Sequence, residues 1–428
     1  MERPEKLIEL ERPPIIETAV VARVVLPSDT EEEVEESLRE MRQLAWTAGA
    51  EVACTVVQHR SRPCPATLIG QGKADEIKAA VDELGADLVV FDSNLTPAQG
   101  AKLEKLLGVK VVDRTQLILD IFAQRAHTNE GKHQVELAQL QYMLPRLVGR
   151  GSIMRQQGGI GVRGPGEQKL EVDRRVIRKR IARLQEEIAN IRKNRMVQRQ
   201  RRAHGAVSTV ALVGYTNAGK SSLLNRLASA DTFVEDKLFA TLDPRARRCR
   251  LSRQREVVLT DTVGFIRKLP HSLVAAFRAT LEEVKESDLL LLVADAAHPG
   301  VEDHVRAVYD VLEEIGALDK PMLMVLNKID IAESDRVAQL VRGGGPRVAV
   351  SALTGEGCEK LLAEIERLLG ATRSRVRLRI PQSEAGLVAR VYKAGQVFRQ
   401  DYEGNDIVLE AEIDAALKGA LTEYIACV

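Results

Sequence analysis

One string constrains this chain more than any other. Gly214-Tyr215-Thr216-Asn217-Ala218-Gly219-Lys220-Ser221 directly follows the apolar run Ser208 to Val213 and precedes a helical pattern over Ser222 to Ala228. It fits the spacing GxxxxGK(S/T), in which backbone N–H groups curl round a phosphate, the lysine reaches its outer oxygens and the hydroxyl ligates Mg²⁺. By residue frequency such a string arises by chance in roughly one or two of a hundred chains this long. A strand before it and a helix after it lower that figure further. This part of the chain is therefore expected to form a doubly wound, mostly parallel α/β sheet of the P-loop type, with ligands at the carboxyl ends of its strands.

Further elements follow in the order such a site needs. Phe239-Ala240-Thr241-Leu242-Asp243 reads as a loop in which Thr241 senses the γ-phosphate through Mg²⁺. The run Val257 to Thr260 ends in Asp261-Thr262-Val263-Gly264, a DxxG arrangement. There Asp261 suits a place behind the metal, and the Gly264 N–H suits the γ-phosphate. Strand-like runs Leu323 to Leu326 and Val348 to Val350 end in Asn327-Lys328-Ile329-Asp330 and Ser351-Ala352-Leu353. Asp330 chooses the base: guanine offers it N1–H and the 2-amino group, and adenine offers neither. A buried group left unpaired by the wrong ligand can discriminate by ~10⁴ or more. GTP or GDP with Mg²⁺ is the expected cargo. Lys220, Thr241 and Gly264 are the catalytic candidates, and Ser221, Thr241 and Asp261 the metal candidates. The nucleotide candidates comprise the whole of 214–222, 239–241 and 261–264, with Asn327, Lys328, Asp330, Ser351, Ala352 and Leu353.

The site lacks one part. Many GTPases place a water-orienting Gln after the DxxG glycine, and here Phe265 stands there. Intrinsic hydrolysis is therefore expected to be slow, about 10⁻⁴–10⁻² s⁻¹. Arg245, Arg247 and Arg248 could act in cis, and a solvated or RNA-facing role is equally open.

The remaining sequence is large enough for more domains, since 428 residues exceed one core of roughly 100–200 residues. Short apolar runs alternate with helical patterns over the first third: Thr18 to Leu26, Glu51 to Gln58, Asp87 to Phe91 and Lys110 to Val112 as strands, with helices between. That alternation implies a small α/β domain. Phe122, Tyr142 and Trp46 sit at helical positions and read as core. From Glu130 the pattern becomes long helix, with Leu137, Leu140, Leu144 and Leu147 on one face. After a Gly-rich segment, Leu170, Ile177, Leu184 and Ile191 recur every seventh residue beside Ile181 and Ile188. Those repeats predict an antiparallel coiled-coil hairpin. Its second helix, 167–204, holds 13 Lys/Arg against 5 Asp/Glu, a local charge of +8 in a chain of net charge +1. A solvated face or a nucleic-acid surface both follow from such a run, and the neighbouring Arg150, Arg155 and Arg163 favour the latter. Gly159 to Gly164 matches GxGxxG, but it follows a helix rather than a strand and is not read as a dinucleotide site.

Several classes are excluded. Five scattered cysteines form no CxxC pair, which speaks against a disulfide framework or zinc knuckle and for a reducing compartment. The seven His show no HExxH spacing. No apolar run reaches the ~18–20 residues that span a bilayer, and MERPEKLIEL does not read as a secretion signal. Aromatics are only 3%, so base-stacking platforms are poorly supported.

Taken together, GGIGVRGPGEQKLEVDRR (158–175), VGYTNAGKSSLLN (213–225), FATLDP (239–244), LTDTVGFIRKLPH (259–271) and AFRATLEE (276–283) make the chain resemble the HflX family of translation-associated GTPases over nearly its whole length. The resemblance implies binding of the large ribosomal subunit and rRNA, and dissociation of stalled or idle ribosomes under stress. It also implies that Phe265 is usual at its position. Gln168 and Ser222 stand where Thr is common in the family, and neither should touch the chemistry. Some members are reported to use ATP through the N-terminal domain, yet residues 1–205 hold no second phosphate loop.

At the far end, Arg373, Arg375, Arg377 and Arg379 alternate with Ser374, Val376, Leu378 and Ile380, a strand with one basic and one largely apolar face. It could meet rRNA or a protein, or be a plain edge strand in a small α+β domain. The expected organisation is an α/β domain over 1–128, a basic hairpin over 129–205 with its tip at 149–166, a GTPase domain over 206–371 and an α+β domain over 372–428. A cytoplasmic monomer is expected, with loose membrane association left open and no integral membrane segment. The alternative function is an RNA- or protein-binding GTP switch without ribosome-splitting activity.

Overall fold

The computed structural model describes residues 16–150, 165–202, 208–228, 239, 245–251, 256–267, 278–371 and 373–426. The chain divides into two compact units, one of Met1–Gln124 with Ala138–Ile181 and one of Arg125–Leu137 with Ala182–Val428.

The first unit holds the alternation expected of it. Strands β1 (Glu17–Val25), β2 (Ala50–His59), β3 (Leu88–Phe91) and β4 (Lys110–Asp113) alternate with helices α1 (Glu31–Ala48), α2 (Gln71–Leu84), α3 (Pro97–Leu107) and α4 (Arg114–Arg125). The four strands form one parallel sheet in the order β2-β1-β3-β4. Local chemistry starts the helices. The Glu33 N–H donates to Thr30 Oγ1 and the Thr30 N–H to the Glu33 carboxylate, a reciprocal cap that Thr96 and Gln99 repeat for α3. Val20, Ala22, Ile77, Val89, Phe91 and Leu103 fill the core, and Phe122 is fully buried. Trp46 is not in the core: it is 56% exposed. Met41, Leu44 and Ala45 form the buried face of α1, and Trp46 falls about 140° round the helix from Met41 at 100° per residue.

Helices α5 (Asn129–Arg150) and α6 (Pro165–Arg202) make the hairpin. The seam residues Leu184 and Ile188 are buried and Ile177, Ile181 and Ile191 half-buried. On α5 the buried positions include Glu130, Gln134, Val135 and Ala138, whereas Leu137, Leu140, Leu144 and Leu147 are only half-buried. His133 Nδ1 lies 3.7 Å from the Glu187 carboxylate across the hairpin. The two helices extend to Arg150 and from Pro165, so they take in both ends of the expected 149–166 tip. The GxGxxG string, Arg155 and Arg163 lie outside the described residues.

The GTPase sheet comprises β5 (Ser208–Gly214), β6 (Arg245–Arg250), β7 (Glu256–Asp261), β8 (Leu289–Asp295), β9 (Met322–Asn327) and β10 (Arg347–Ala349). Helices α7 (Lys220–Leu227), α8 (Arg278–Glu286), α9 (Val301–Glu314), α10 (Ser334–Val341) and α11 (Cys358–Ala371) accompany it. The order is β10-β9-β8-β5-β7-β6, parallel except for β6 at the edge. The central strands are buried along almost their whole length, which is why they read as continuous apolar runs. Strand β6 carries Arg245, Arg247 and Arg248; Arg248 and Arg250 lie 4.0 and 3.8 Å from Glu256 of the neighbouring strand.

Strands β11 (Arg373–Pro381), β12 (Gln396–Glu403) and β13 (Asp406–Asp414), with α12 (Ala385–Ala394) and α13 (Ala415–Ala420), form an antiparallel sheet in the order β11-β13-β12. Val376, Leu378 and Ile380 are buried, and Arg375, Arg377 and Arg379 face the other way. That basic face is matched by acids: Arg375 reaches Glu410 at 3.2 Å, Arg377 reaches Glu403 at 3.1 Å and Arg379 reaches Asp406 at 2.7 Å. Among the described residues no helix is long and apolar enough to cross a membrane.

Candidate nucleotide site

The site assembles at the carboxyl ends of β5, β7, β9 and β10. Gly214 ends β5, and Lys220 and Ser221 open α7. Gly219 has φ 87°, and a Cβ there would lie 2.2 Å from Asn327 Nδ2, so only glycine fits. Asn217 also takes a left-handed conformation, φ 60°. Lys220 is buried and its ammonium donates to the carbonyls of Gly214 at 3.1 Å and Tyr215 at 2.8 Å. Burial lowers its pKa to about 8, with the nearby Asp261 charge pulling the other way.

Ser221 Oγ donates to Asp261 Oδ2 at 2.6 Å, and Asp261 is fully buried. A hydroxyl and a carboxylate held together beside a phosphate loop form a hard-oxygen donor set that fits Mg²⁺. The third metal candidate, Thr241, lies outside the described residues, as does Ala240; Phe239 is described and buried. Thr262 spends its hydroxyl on the Leu212 carbonyl at 2.7 Å, and Val263 is buried, so both fasten the DxxG turn to the sheet. The turn is also stitched to the phosphate loop: the Phe265 N–H donates to Gly214 O at 3.0 Å and the Thr216 N–H to Phe265 O at 2.7 Å. The Phe265 ring is buried at 1% exposure.

On the base side, Asn327 is buried and joins two loops. Its Nδ2 donates to Ala218 O at 2.9 Å, and its Oδ1 accepts from the Ala352 N–H at 3.0 Å. Lys328, at φ 65°, places its ammonium 2.6 Å from Asp295 at the end of β8. Asp330 is exposed, and among the described residues its carboxylate has no partner. Ser351 Oγ accepts from the Thr354 N–H at 3.1 Å, and Leu353 is 76% exposed.

Three participants escaped the sequence reading. Asp295 fixes Lys328; its signal was its place at the end of a buried strand beside β9. Arg226 of α7 donates to the carbonyls of Ala352 at 3.0 Å and of Leu353, tying the phosphate-loop helix to the base side. His304 of α9 stacks on the expected Tyr215 with ring centroids 3.8 Å apart, and the Tyr215 hydroxyl accepts from the Arg267 N–H at 2.8 Å. No spacing rule points to these last two.

Comparison with known proteins places this geometry. Residues 209–328 match the family described as 50S ribosome-binding GTPase. Residues 35–123 match GTP-binding GTPase N-terminal, 125–202 GTP-binding GTPase Middle Region and 337–423 HflX C-terminal domain. The GTPase HflX of Caldanaerobacter subterraneus subsp. tengcongensis is 48% identical over 408 residues, 95% of this chain and 93% of that one. The chain belongs to the HflX family of GTPases. The GTPase HflX of Escherichia coli K12 is 47% identical over 380 residues, 88% of each chain. A GTP-binding protein from Sulfolobus solfataricus, solved in complex with GDP, is 27% identical, with 83% of this chain and 99% of that one covered and a TM-score of 0.44. As an HflX GTPase, the chain binds guanine nucleotide through its phosphate-loop domain.

Proposed function

We propose that this HflX GTPase is a GTP-gated factor that binds the large ribosomal subunit and dissociates stalled or idle ribosomes under stress. The observation that carries this reading is the joining of a GTPase domain to α6, within a segment carrying a local charge of +8. A polyanion such as rRNA is what such a helix attracts. The 50S ribosome-binding description of the family matched by 209–328 supports the choice of target.

In the nucleotide site, Gly214 to Ser221 would wrap the phosphates, with Lys220 leaving its two carbonyl partners for the β- and γ-oxygens. Mg²⁺ would be held by Ser221, with Asp261 behind it and Thr241 from the switch; when bound it neutralises phosphate charge. The Gly264 N–H would meet the γ-phosphate. Asp330 would accept from guanine N1–H and the 2-amino group, beside Lys328. Asn327 would hold the phosphate and base loops in register, and Ser351, Ala352 and Leu353 would close the base side. A buried Phe265 cannot orient water, so intrinsic hydrolysis is expected to be slow and to rise on the ribosome.

The test is single-turnover GTP hydrolysis with and without purified large subunits, with Lys220→Ala as the blank and ribosome splitting followed by light scattering. Stimulation of roughly tenfold or more, with splitting, is expected. Guanine nucleotide binding with neither would overturn the ribosomal reading and favour a regulatory switch that answers to a protein or another RNA.

A further inference from the structure

The phosphate loop carries a buried polar atom that no described residue pairs. Thr216 is 6% exposed, and its Oγ1 is buried with no hydrogen-bond partner among the described residues. Burying an unpartnered hydroxyl is costly, and a phosphate loop is where a ligand can complete it.

Its surroundings indicate which part of the ligand. The Thr216 N–H is bonded to Phe265 O, so this residue lies directly against the end of the DxxG turn. A Cβ built on Gly264 would stand 2.9 Å from Thr216 Cα and Cγ2 and 3.0 Å from Lys220 Nζ. Thr216, Gly264 and Lys220 therefore converge on one spot, the one assigned above to the γ-phosphate. Position 265 is also where many GTPases supply the group that orients water. Here its side chain is an apolar ring turned into the core. The backbone pairing sets Thr216, whose β-carbon carries both the methyl nearest Gly264 and the hydroxyl, beside the place that Phe265 does not serve.

We propose that Thr216 Oγ1 is a catalytic hydroxyl that holds the attacking water against the γ-phosphate of GTP. The inference rests on the reading of this site as the hydrolytic centre. A hydroxyl has one donor and two acceptor positions. Thr216 accepts a hydrogen bond from the water and donates its own to a γ-phosphoryl oxygen. The water oxygen bonds to phosphorus as the bond from phosphorus to the β–γ bridging oxygen breaks. The electron pair of that bond leaves with GDP, a water proton passes to the phosphate product, and Thr216 ends as it began.

Thr216→Val keeps the branched shape without the hydroxyl, and Thr216→Ser keeps the hydroxyl. Single-turnover hydrolysis, alone and with large subunits, is expected to fall about 10²-fold in Thr216→Val and to recover in Thr216→Ser to within about fivefold of the parent. GDP affinity should stay within about twofold, while affinity for GDP with aluminium fluoride falls in step with the rate, because only the transition state uses the contact. The nucleotide-free Thr216→Val protein should melt at or above the parent temperature, since a hydroxyl without a partner holds nothing. Hydrolysis and aluminium fluoride affinity within about threefold of the parent would overturn the inference. So would a lowered melting temperature with an unchanged rate, which would make the hydroxyl structural. A parent that hydrolyses no GTP under either condition would fail the underlying reading, and this one with it.

Discussion

Two parallel sheets in this chain share a plan and differ in what they set at the ends of their strands. In β2-β1-β3-β4 the chain crosses first to one side of β1 and then to the other, so β1 and β3 flank the kind of switch point where open sheets hold ligands. Those ends are occupied by charge. Asp92, just after β3, meets Arg23 of β1, Arg114 Nη1 at 2.9 Å and Ser37 Oγ at 2.6 Å, and Arg114 also pairs with Glu40. Asp113, ending β4, accepts from the Leu95 N–H at 3.0 Å and from Arg146 at 2.9 Å. Burial, then the charge and hydrogen bond of Asp113, push the Tyr142 phenol upward. At the GTPase sheet the strand ends carry glycine turns, a Thr216 hydroxyl without a partner among the described residues and an exposed Asp330. The first sheet closes its strand-end carboxylates with arginines, whereas the GTPase sheet leaves the Thr216 hydroxyl and the Asp330 carboxylate without a partner among the described residues. The architecture permits a site in both, and the side chains decide.

The largest expected effect lies at Asp330. Replacing it with Asn swaps an acceptor for a group that also donates, so guanine loses its match. GTP affinity is expected to fall by a factor approaching ~10⁴. Xanthine nucleotides, which present a carbonyl at position 2, should gain. Competition binding with GTP, XTP and ATP reads both, and undiminished GTP affinity would remove Asp330 from the base site.

Next is Asp92, where the opposite sheet should respond in stability. Asp92→Ala leaves Arg23 and Arg114, 4% and 2% exposed, without their shared carboxylate. Breaking a buried pair from one side costs about 3–5 kcal/mol, read by urea unfolding of the first unit's signal. GDP affinity of the folded protein should not change. A variant as stable as the parent but unable to bind GDP would mean that Asp92 serves the nucleotide rather than the fold.

Much of this contrast was legible beforehand, though unevenly. The nucleotide site announced itself because phosphate chemistry fixes residue types at fixed spacing after a strand, so Gly214 to Ser221, Asp261 to Gly264 and Asn327 to Asp330 could be found by eye. The alternation of strands and helices in the first unit was equally plain from its apolar runs, although the Thr30 cap that starts α1 was not picked out. Contacts between residues far apart in sequence were not legible. Asp92 lies 69 positions from Arg23 and 22 from Arg114, and Arg226 lies 126 from Ala352. Strand β6 was missed because RARRCR lies at a sheet edge and lacks the apolar signature of its neighbours. For the arginines of β11 the sequence leaves a nucleic-acid or protein contact and a plain edge strand open; β11 does lie at the sheet edge, and the acidic partners that its arginines meet arrive from β12 and β13, which the sequence places only after the sheet is known.

Lys220 should show a smaller and pH-dependent effect. In the free protein burial holds its pKa at about 8, and bound phosphates would raise it. Above pH 8 the complex therefore takes up a proton that the free protein lacks. GDP affinity is expected to be flat from pH 7 to about 8, then to fall with rising pH by up to about tenfold per unit. Lys220→Met should flatten the profile. For folding the sign is opposite: the unfolded chain keeps the proton up to the ordinary value of 10.5, so this group's contribution to stability rises from pH 8 towards 10.5. Calorimetry in two buffers of different ionisation enthalpy reads the proton uptake, and none at pH 9 would mean that Lys220 stays charged without nucleotide.

The smallest effect separates buried charge from exposed charge. Arg377 and Glu403 pair at 3.1 Å, but their side chains are 49% and 46% exposed. Water screens such a pair, and holding two long side chains in one geometry costs entropy, so exposed pairs contribute about 0.2–1 kcal/mol. Arg377→Ala is therefore expected to lower stability by no more than that. The difference should vanish in about 1 M salt, where the screening length shrinks to roughly 3 Å. The loss in Asp92→Ala should persist there, because bulk ions do not reach a buried arginine pair. Urea unfolding of both variants at low and high salt makes the distinction. A salt-resistant loss of several kcal/mol at Arg377 would mean that the arginine face of β11 is a desolvated network like the one at Asp92, and the two would then have to be read as one kind of device.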